Sequence, residues 1–119
     1  MTQLLIGDKN CSDDSLYSIP ITIKSANMLA NSLALRTRTE AVFFVVSGIK
    51  TRRRYGTVKN VGGKMFEIKL NSIGMNVGTL LHEMAHVTST GKIIEGHPVA
   101  FRNRLAILTV MYNNVWRDG

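Results

Sequence analysis

The chain has three histidines in all, and two of them stand four residues apart with a glutamate beside the first, in Leu81-His82-Glu83-Met84-Ala85-His86. On an α-helix a four-residue step is one turn plus about 40°, so His82 and His86 share a face and both imidazoles can reach one metal ion at about 2.0–2.1 Å. Glu83 follows the first histidine directly. That neighbouring direction aims its carboxylate at a water on the metal instead of at the metal, which is where a general base for metal-assisted hydrolysis must stand. With three His and four Glu in the chain, shuffling would produce this H-E-x-x-H pattern in roughly two sequences per thousand. Chance is a weak rival, and no histidine is left over for a structural role elsewhere.

Two imidazoles are too few, because a catalytic zinc ion takes three protein ligands and leaves its fourth position to water. The downstream candidates lie together in Glu95-Gly96-His97-Pro98. His97 is preferred, since Gly96 permits a sharp turn and Pro98 suits the first turn of a helix, which would fix the imidazole at a helix entrance; Glu95 is the runner-up. The metzincin pattern is excluded, because Ser89 and Lys92 stand where its glycine and third histidine would be.

These residues must be held by elements whose periods are legible around them. Val77, Leu80, Leu81, Met84 and Thr88 keep helical spacing after Asn76, so the motif lies on an amphipathic helix. Upstream, Ser25 can cap a helix carrying Ala26, Leu29, Ala30 and Leu33, with Arg36 and Arg38 at its C-terminal end. Residues 41–49 form an apolar run of strand length, expected near the centre of a sheet and covered on both faces. Gly62-Gly63 predicts a hairpin turn. In the strand after it Phe66, Ile68 and Leu70 alternate with Glu67, Lys69 and Asn71, so one face packs while the other faces solvent along a cleft. Phe101, Leu105, Leu108, Tyr112 and Val115 continue at helical spacing after Pro98, with Tyr112 and Trp116 expected to help close the core. The expected architecture is α+β: a small sheet of three strands packed by an N-terminal helix and the motif-bearing helix, plus a C-terminal helix.

With the order of elements in place, the chain resembles the SprT-like (Spartan-like) family of zinc metallopeptidases. The residues that carry the resemblance are Ile68-Lys69-Leu70-Asn71, Thr79-Leu80-Leu81-His82-Glu83-Met84-Ala85-His86 and Gly96-His97-Pro98-Val99-Ala100-Phe101, over about residues 25–116. The resemblance implies a zincin-like core, one Zn2+ held by His82, His86 and His97, Glu83 as catalytic acid/base, Phe101 packed beneath the site, and a protein substrate, with DNA-bound or DNA-crosslinked proteins among the expected targets. Two departures stand out: Pro98 occupies a position where similar proteins commonly carry glycine, and one cysteine cannot build the zinc ribbon many of them add. A minimal stand-alone domain of this kind fits a phage or mobile-element protein.

The composition bounds the rest. At 119 residues, 45% hydrophobic and 19% charged, with two prolines, the chain is expected to be one globular domain over 1–119. The longest apolar run, Ala41 to Val46, is far short of the ~20 residues that span a bilayer, so no membrane association is expected. A single Cys11 and an N-terminus without a basic secretory pattern predict the cytoplasm. Fifteen Lys+Arg against eight Asp+Glu give +7, which favours polyanions. Lys50, Arg52, Arg53 and Arg54, joined by Lys59, Lys64 and Lys69, are the candidate DNA-binding residues; no aromatic platform or base-reading module accompanies them. The competing function is a non-catalytic module, clipped by zinc, whose basic face binds DNA or an acidic partner protein. The oligomeric state has no signature in the sequence.

Overall fold

The computed structural model describes residues 13–48 and 55–117, which form an α+β fold with a three-stranded mixed sheet and three α-helices. In chain order they are a 3-10 turn (Asp14–Ser18), α1 (Ile23–Arg36), β1 (Val42–Ser47), β2 (Gly56–Gly62), β3 (Met65–Leu70), α2 (Val77–Ala85) and α3 (Val99–Tyr112), which runs on into a π-helical turn (Asn113–Arg117).

Helix α1 buries Ala26, Leu29, Ala30 and Leu33 as their spacing predicts. Its cap is Thr22 and not Ser25: the Thr22 hydroxyl accepts the Ser25 N–H at 3.1 Å, because the preceding residues are already pinned, with the Ile21 N–H donating to the Met75 carbonyl. The polar residues of the same helix have a use that the periodicity does not reveal. Asn27 donates to the Val45 carbonyl and accepts the Val45 N–H, both at 2.8 Å, and Asn31 does the same with Phe43 at 2.9 Å. Two side-chain amides, one turn apart, thus serve the edge of β1 as a further strand would.

That arrangement corrects the expected position of residues 41–49. The strand order is β1-β3-β2, with β1 parallel and β2 antiparallel to β3, so β3 is central and β1 is an edge. Only Phe43 and Val45 of β1 are buried, while Val42 and Phe44 on the opposite face are exposed. An apolar run signals burial of neither face in particular; the amides of α1 close the edge, which a further strand would otherwise have to occupy. The hairpin forms where expected, with Gly62 and Gly63 at φ 135° and 55° and the Asn60 side chain bridging to both. In β3, Phe66, Ile68 and Leu70 are buried. Asn71, expected at the solvent, is buried instead and accepts the Gly74 N–H at 2.7 Å, shaping the turn into α2.

The core lies between the inner sheet face and the helices. Phe43 and Phe66 meet at 6.0 Å between centroids, in company with Leu33, Leu80, Leu81 and Met84; truncating a phenylalanine of this kind to alanine costs about 3–5 kcal/mol. Helix α2 starts at Asn76, whose Oδ1 accepts the Thr79 N–H at 2.8 Å, and it is buried on nearly every side. It ends at Ala85, so Thr88 lies beyond it in a loop, with His86 as the C-terminal cap. Pro98 is the residue before α3 rather than its first. Phe101, Leu105, Leu108 and Tyr112 face inward, whereas Trp116 stays exposed, stacked on Tyr112 at 5.9 Å with the Arg36 guanidinium 5.6 Å from its ring. Among the described residues no helix is long and apolar enough to cross a membrane.

Candidate metal centre

Helix α2 and its C-terminal cap present His82 and His86 on one side, and the segment after them returns His97 to the pair. The return is made by backbone pairing: Val87 bridges Ile93, and the Ile94 N–H donates to the His86 carbonyl at 2.6 Å. Gly96 then turns at φ 68°, a left-handed conformation that favours glycine, and the chain enters α3 just after His97. Arg104 of α3 ties the segment down by donating from Nε to the Val87 carbonyl at 3.2 Å and from a terminal nitrogen to Thr39 Oγ1 at 2.7 Å.

The three imidazoles meet with ring centroids 5.0–5.3 Å apart, and their donor atoms lie within 4.8 Å of one another, a group that could hold a metal ion. Tetrahedral bonds of 2.0–2.1 Å place ligand nitrogens about 3.3 Å apart, a spacing inside that 4.8 Å limit. Phe101, 3% exposed, lies 4.5–4.9 Å from all three rings and forms their apolar floor.

Protonation also suits a metal. Burial, reinforced by the neighbouring His86 and His97, lowers His82 to about 4, so it is neutral with a lone pair available at neutral pH. Burial lowers His86 as well, against the opposing effects of its bond to Ile94 and the charge of Glu95. His86 Nδ1 is 2.9 Å from the Ile94 carbonyl. A carbonyl only accepts, so Nδ1 carries the proton and Nε2 is left for a metal, the usual way a ligating histidine is oriented. Glu95, the alternative third ligand, lines the neighbouring cleft but is not part of the ligand group.

The cleft beside the histidines measures about 710 Å³ and is walled by the first residues of β2, by α2 and by the 93–97 segment. Glu83 lines it and is only 7% exposed. Its place depends on Gly56: a Cβ there would stand 3.0 Å from Glu83 Cγ, 3.0 Å from Leu70 Cδ2 and 3.1 Å from Thr79 Cγ2. The cleft-lining strand is therefore β2, through Gly56, Thr57 and Val58, and not 65–71, whose two sides are taken by β1 and β2. Tyr17, from the 3-10 turn, closes another wall, its ring so tight on Gly78 that a Cβ there would approach within 2.6 Å.

Of the basic candidates, Lys50, Arg52, Arg53 and Arg54 lie outside the described residues. Lys59 and Lys69 flank Glu67 at 3.7 and 3.9 Å on the sheet, and Lys64 holds the hairpin to the 88–91 loop through the Thr90 carbonyl and an ion pair to Glu40 at 3.9 Å. Among the described residues no lysine or arginine lines the cleft, whose acidic groups are Glu83 and Glu95.

Tyr17, Gly56 and Gly78 are residues at the site that motif and spacing did not mark, and Thr79, which opens the motif stretch, was given no role there. Gly56 and Gly78 carried a faint signal, since a glycine within a strand or helix where no turn is needed indicates close approach of a neighbour. No protein-family model matches the chain, and neither a curated protein nor a solved structure matches it.

Proposed function

We propose that this protein is a zinc-dependent peptidase of the SprT-like type, acting on protein substrates. One observation carries the reading: three imidazoles converge on a common point with a buried glutamate beside them in the same cleft. Zinc is the metal these ligands favour, because three neutral imidazoles and an open position are its usual catalytic set, while hard cations prefer oxygen. When bound, zinc supplies Lewis-acid activation of water and of the scissile carbonyl.

The chain's own residues supply the remainder. His82, His86 and His97 would hold the ion, and the Ile94 carbonyl, 2.9 Å from His86 Nδ1, fixes the orientation of His86. Glu83 removes the proton of the attacking water and delivers it to the leaving amine as the C–N bond breaks. The outer edge of β2, which pairs only with β3 among the described residues, offers backbone groups to an extended peptide by strand addition. Among the described residues the candidate DNA-contacting lysines, Lys59, Lys64 and Lys69, belong to the β2–β3 hairpin and do not line the cleft, so DNA-bound or DNA-crosslinked proteins fit as substrates. A cytoplasmic setting accords with the single cysteine.

Glu83→Gln tests the assignment. The variant retains zinc at wild-type stoichiometry and loses cleavage of an unfolded protein substrate such as casein, with or without DNA. Undiminished cleavage refutes the role of Glu83. Wild-type protein with full zinc and no turnover on free or DNA-bound proteins would establish the zinc-clipped binding module instead.

A further inference from the structure

One wall of the cleft is polar in a way that the zinc ligands and Glu83 do not use. Thr79 is 4% exposed, lines the cleft one turn before Glu83, and its Oγ1 has no hydrogen-bond partner among the described residues. A buried hydroxyl without a partner is costly unless a guest or water satisfies it. Beside it, Tyr17 packs against the backbone of α2 at Gly78, one turn before His82. Glycine is the only residue that permits this approach, since a Cβ at 78 would lie 2.6–2.8 Å from three ring atoms.

The turn that carries Tyr17 is itself anchored at several points. Asp13 accepts from the Ser15 N–H at 3.1 Å, from Asn113 at 3.1 Å and from Arg117 at 3.3 Å, and Arg117 also donates to Ser15 Oγ at 2.8 Å. Leu16, next to Tyr17, is 1% exposed in the core. Two sides of Tyr17 are thus fixed, by its packing on Gly78 and by the bonds that Asn113 and Arg117 make to its turn, while the residue as a whole stays 41% exposed and lines the cleft. Burial, together with the charges of Asp14 and Glu83, raises its pKa above the ordinary tyrosine value, so the phenol keeps its proton and is a donor at every working pH.

We infer that Tyr17 is a catalytic residue of this site, its hydroxyl donating a hydrogen bond to the substrate oxygen that becomes negative as water adds to the scissile carbonyl. The inference rests on the peptidase reading and deepens it. As the water oxygen bonds to carbon, the carbonyl π pair moves onto oxygen, and a rigid donor there stabilises the charge more than it stabilises the ground state. Tyr17 transfers no proton: the water's proton goes to Glu83 and on to the leaving amine, and the oxyanion returns its pair to carbon as the C–N bond breaks. Thr79 Oγ1 is available to the same polar edge of the substrate.

Tyr17→Phe keeps the ring on Gly78 and removes only the donor. Zinc content and thermal midpoint are expected to match the wild type. In casein cleavage kcat falls about 10²–10³-fold, with KM within about twofold. In calorimetry the zinc-loaded variant binds N-phosphoryl-Leu-Trp, whose tetrahedral phosphoryl oxygens occupy the oxyanion position, roughly 10–100-fold more weakly than the wild type. Unchanged kcat and unchanged probe affinity overturn the role, as does a rise in KM alone, which would make Tyr17 a packing surface. If zinc-loaded wild type neither cleaves casein nor binds the probe, the peptidase reading fails and the role of Tyr17 falls with it; if the wild type does both and Tyr17→Phe equals it, only the role of Tyr17 fails.

Discussion

Replacing Gly56 by alanine adds one methyl group at the point where β2 crosses α2, and the distances around it set the consequence. The new Cβ would stand 3.0 Å from Glu83 Cγ, 3.0 Å from Leu70 Cδ2 and 3.1 Å from Thr79 Cγ2, where ordinary carbon contacts sit at about 3.5–4.0 Å. Leu70 is fully buried and the β-branched Thr79 is stiff at χ1, so the longer and more flexible Glu83, at the cleft, is the side chain expected to move. Overpacking of this kind costs about 1–3 kcal/mol. Alanine restricts the unfolded chain and returns about 0.4–1 kcal/mol. The net loss is about 0–2.5 kcal/mol, a fall of up to about 10 °C in Tm for a domain of this size. Displacing the proposed general base by a few tenths of an ångström to an ångström is expected to lower kcat by about 10–100-fold. Zinc stoichiometry is unaffected, because no histidine is touched. Gly63→Ala is the comparison: its φ is 55° with nothing within 4 Å of the added methyl, so it costs about 1 kcal/mol of backbone strain and leaves turnover unchanged. Cleavage rate, zinc content and thermal melting measured on both variants decide the matter. If Gly56→Ala turns over like the wild type, or loses activity only by losing zinc, then the packing of β2 on Glu83 does not position the base.

Two further outcomes follow from other parts of the molecule. Asn31→Leu removes the amide that serves both the N–H and the carbonyl of Phe43, and leaving those edge groups without partners costs about 2–3 kcal/mol; urea denaturation checks this, and a loss below about 0.5 kcal/mol would mean that solvent replaces the amide freely. In the metal-free protein His82 titrates at about 4 instead of 6.5 and His86 is lowered too, so between pH 6.5 and 4 the unfolded chain binds more protons than the folded one. Stability is then fully present above pH 6.5 and declines as the pH falls toward 4; a urea midpoint of chelator-treated protein that stays flat across that interval would contradict the burial of these imidazoles.

How much of this was legible in the sequence differs by residue, for physical reasons. His82, Glu83 and His86 announced themselves because a helix converts a four-residue interval into a shared face, and Val77, Leu80, Leu81 and Met84 independently declared that helix. His97 was legible through Gly96 and Pro98, whose backbone restrictions mark a turn and a helix entrance. The burial of α1 on Ala26, Leu29, Ala30 and Leu33 and the hairpin at Gly62-Gly63 followed from equally local rules. What stayed hidden depends on pairs distant in the chain. An apolar run from 41 to 46 has the same composition at the edge of a sheet as at its centre, and only the Asn27 and Asn31 amides, which sequence rules count as the polar side of a helix, decide for the edge.

A helical motif is legible in sequence where a cleft is not. Metal ligands on one helix are spaced by that helix, so their chemistry is written in consecutive residues. The walls of a substrate cleft come from whichever elements pack beside the ligands, here the start of β2 and the 3-10 turn at Asp14–Ser18. Both reach helix α2 through a missing side chain, at Gly56 and at Gly78, where the neighbour is Glu83 in one case and Tyr17 in the other. Neither glycine has a positive φ, so turn geometry does not account for them. Close approach does, and it sets the positions of the proposed base and the proposed oxyanion donor by the same means: a helix backbone or a strand backbone that comes nearer than any β-carbon would allow.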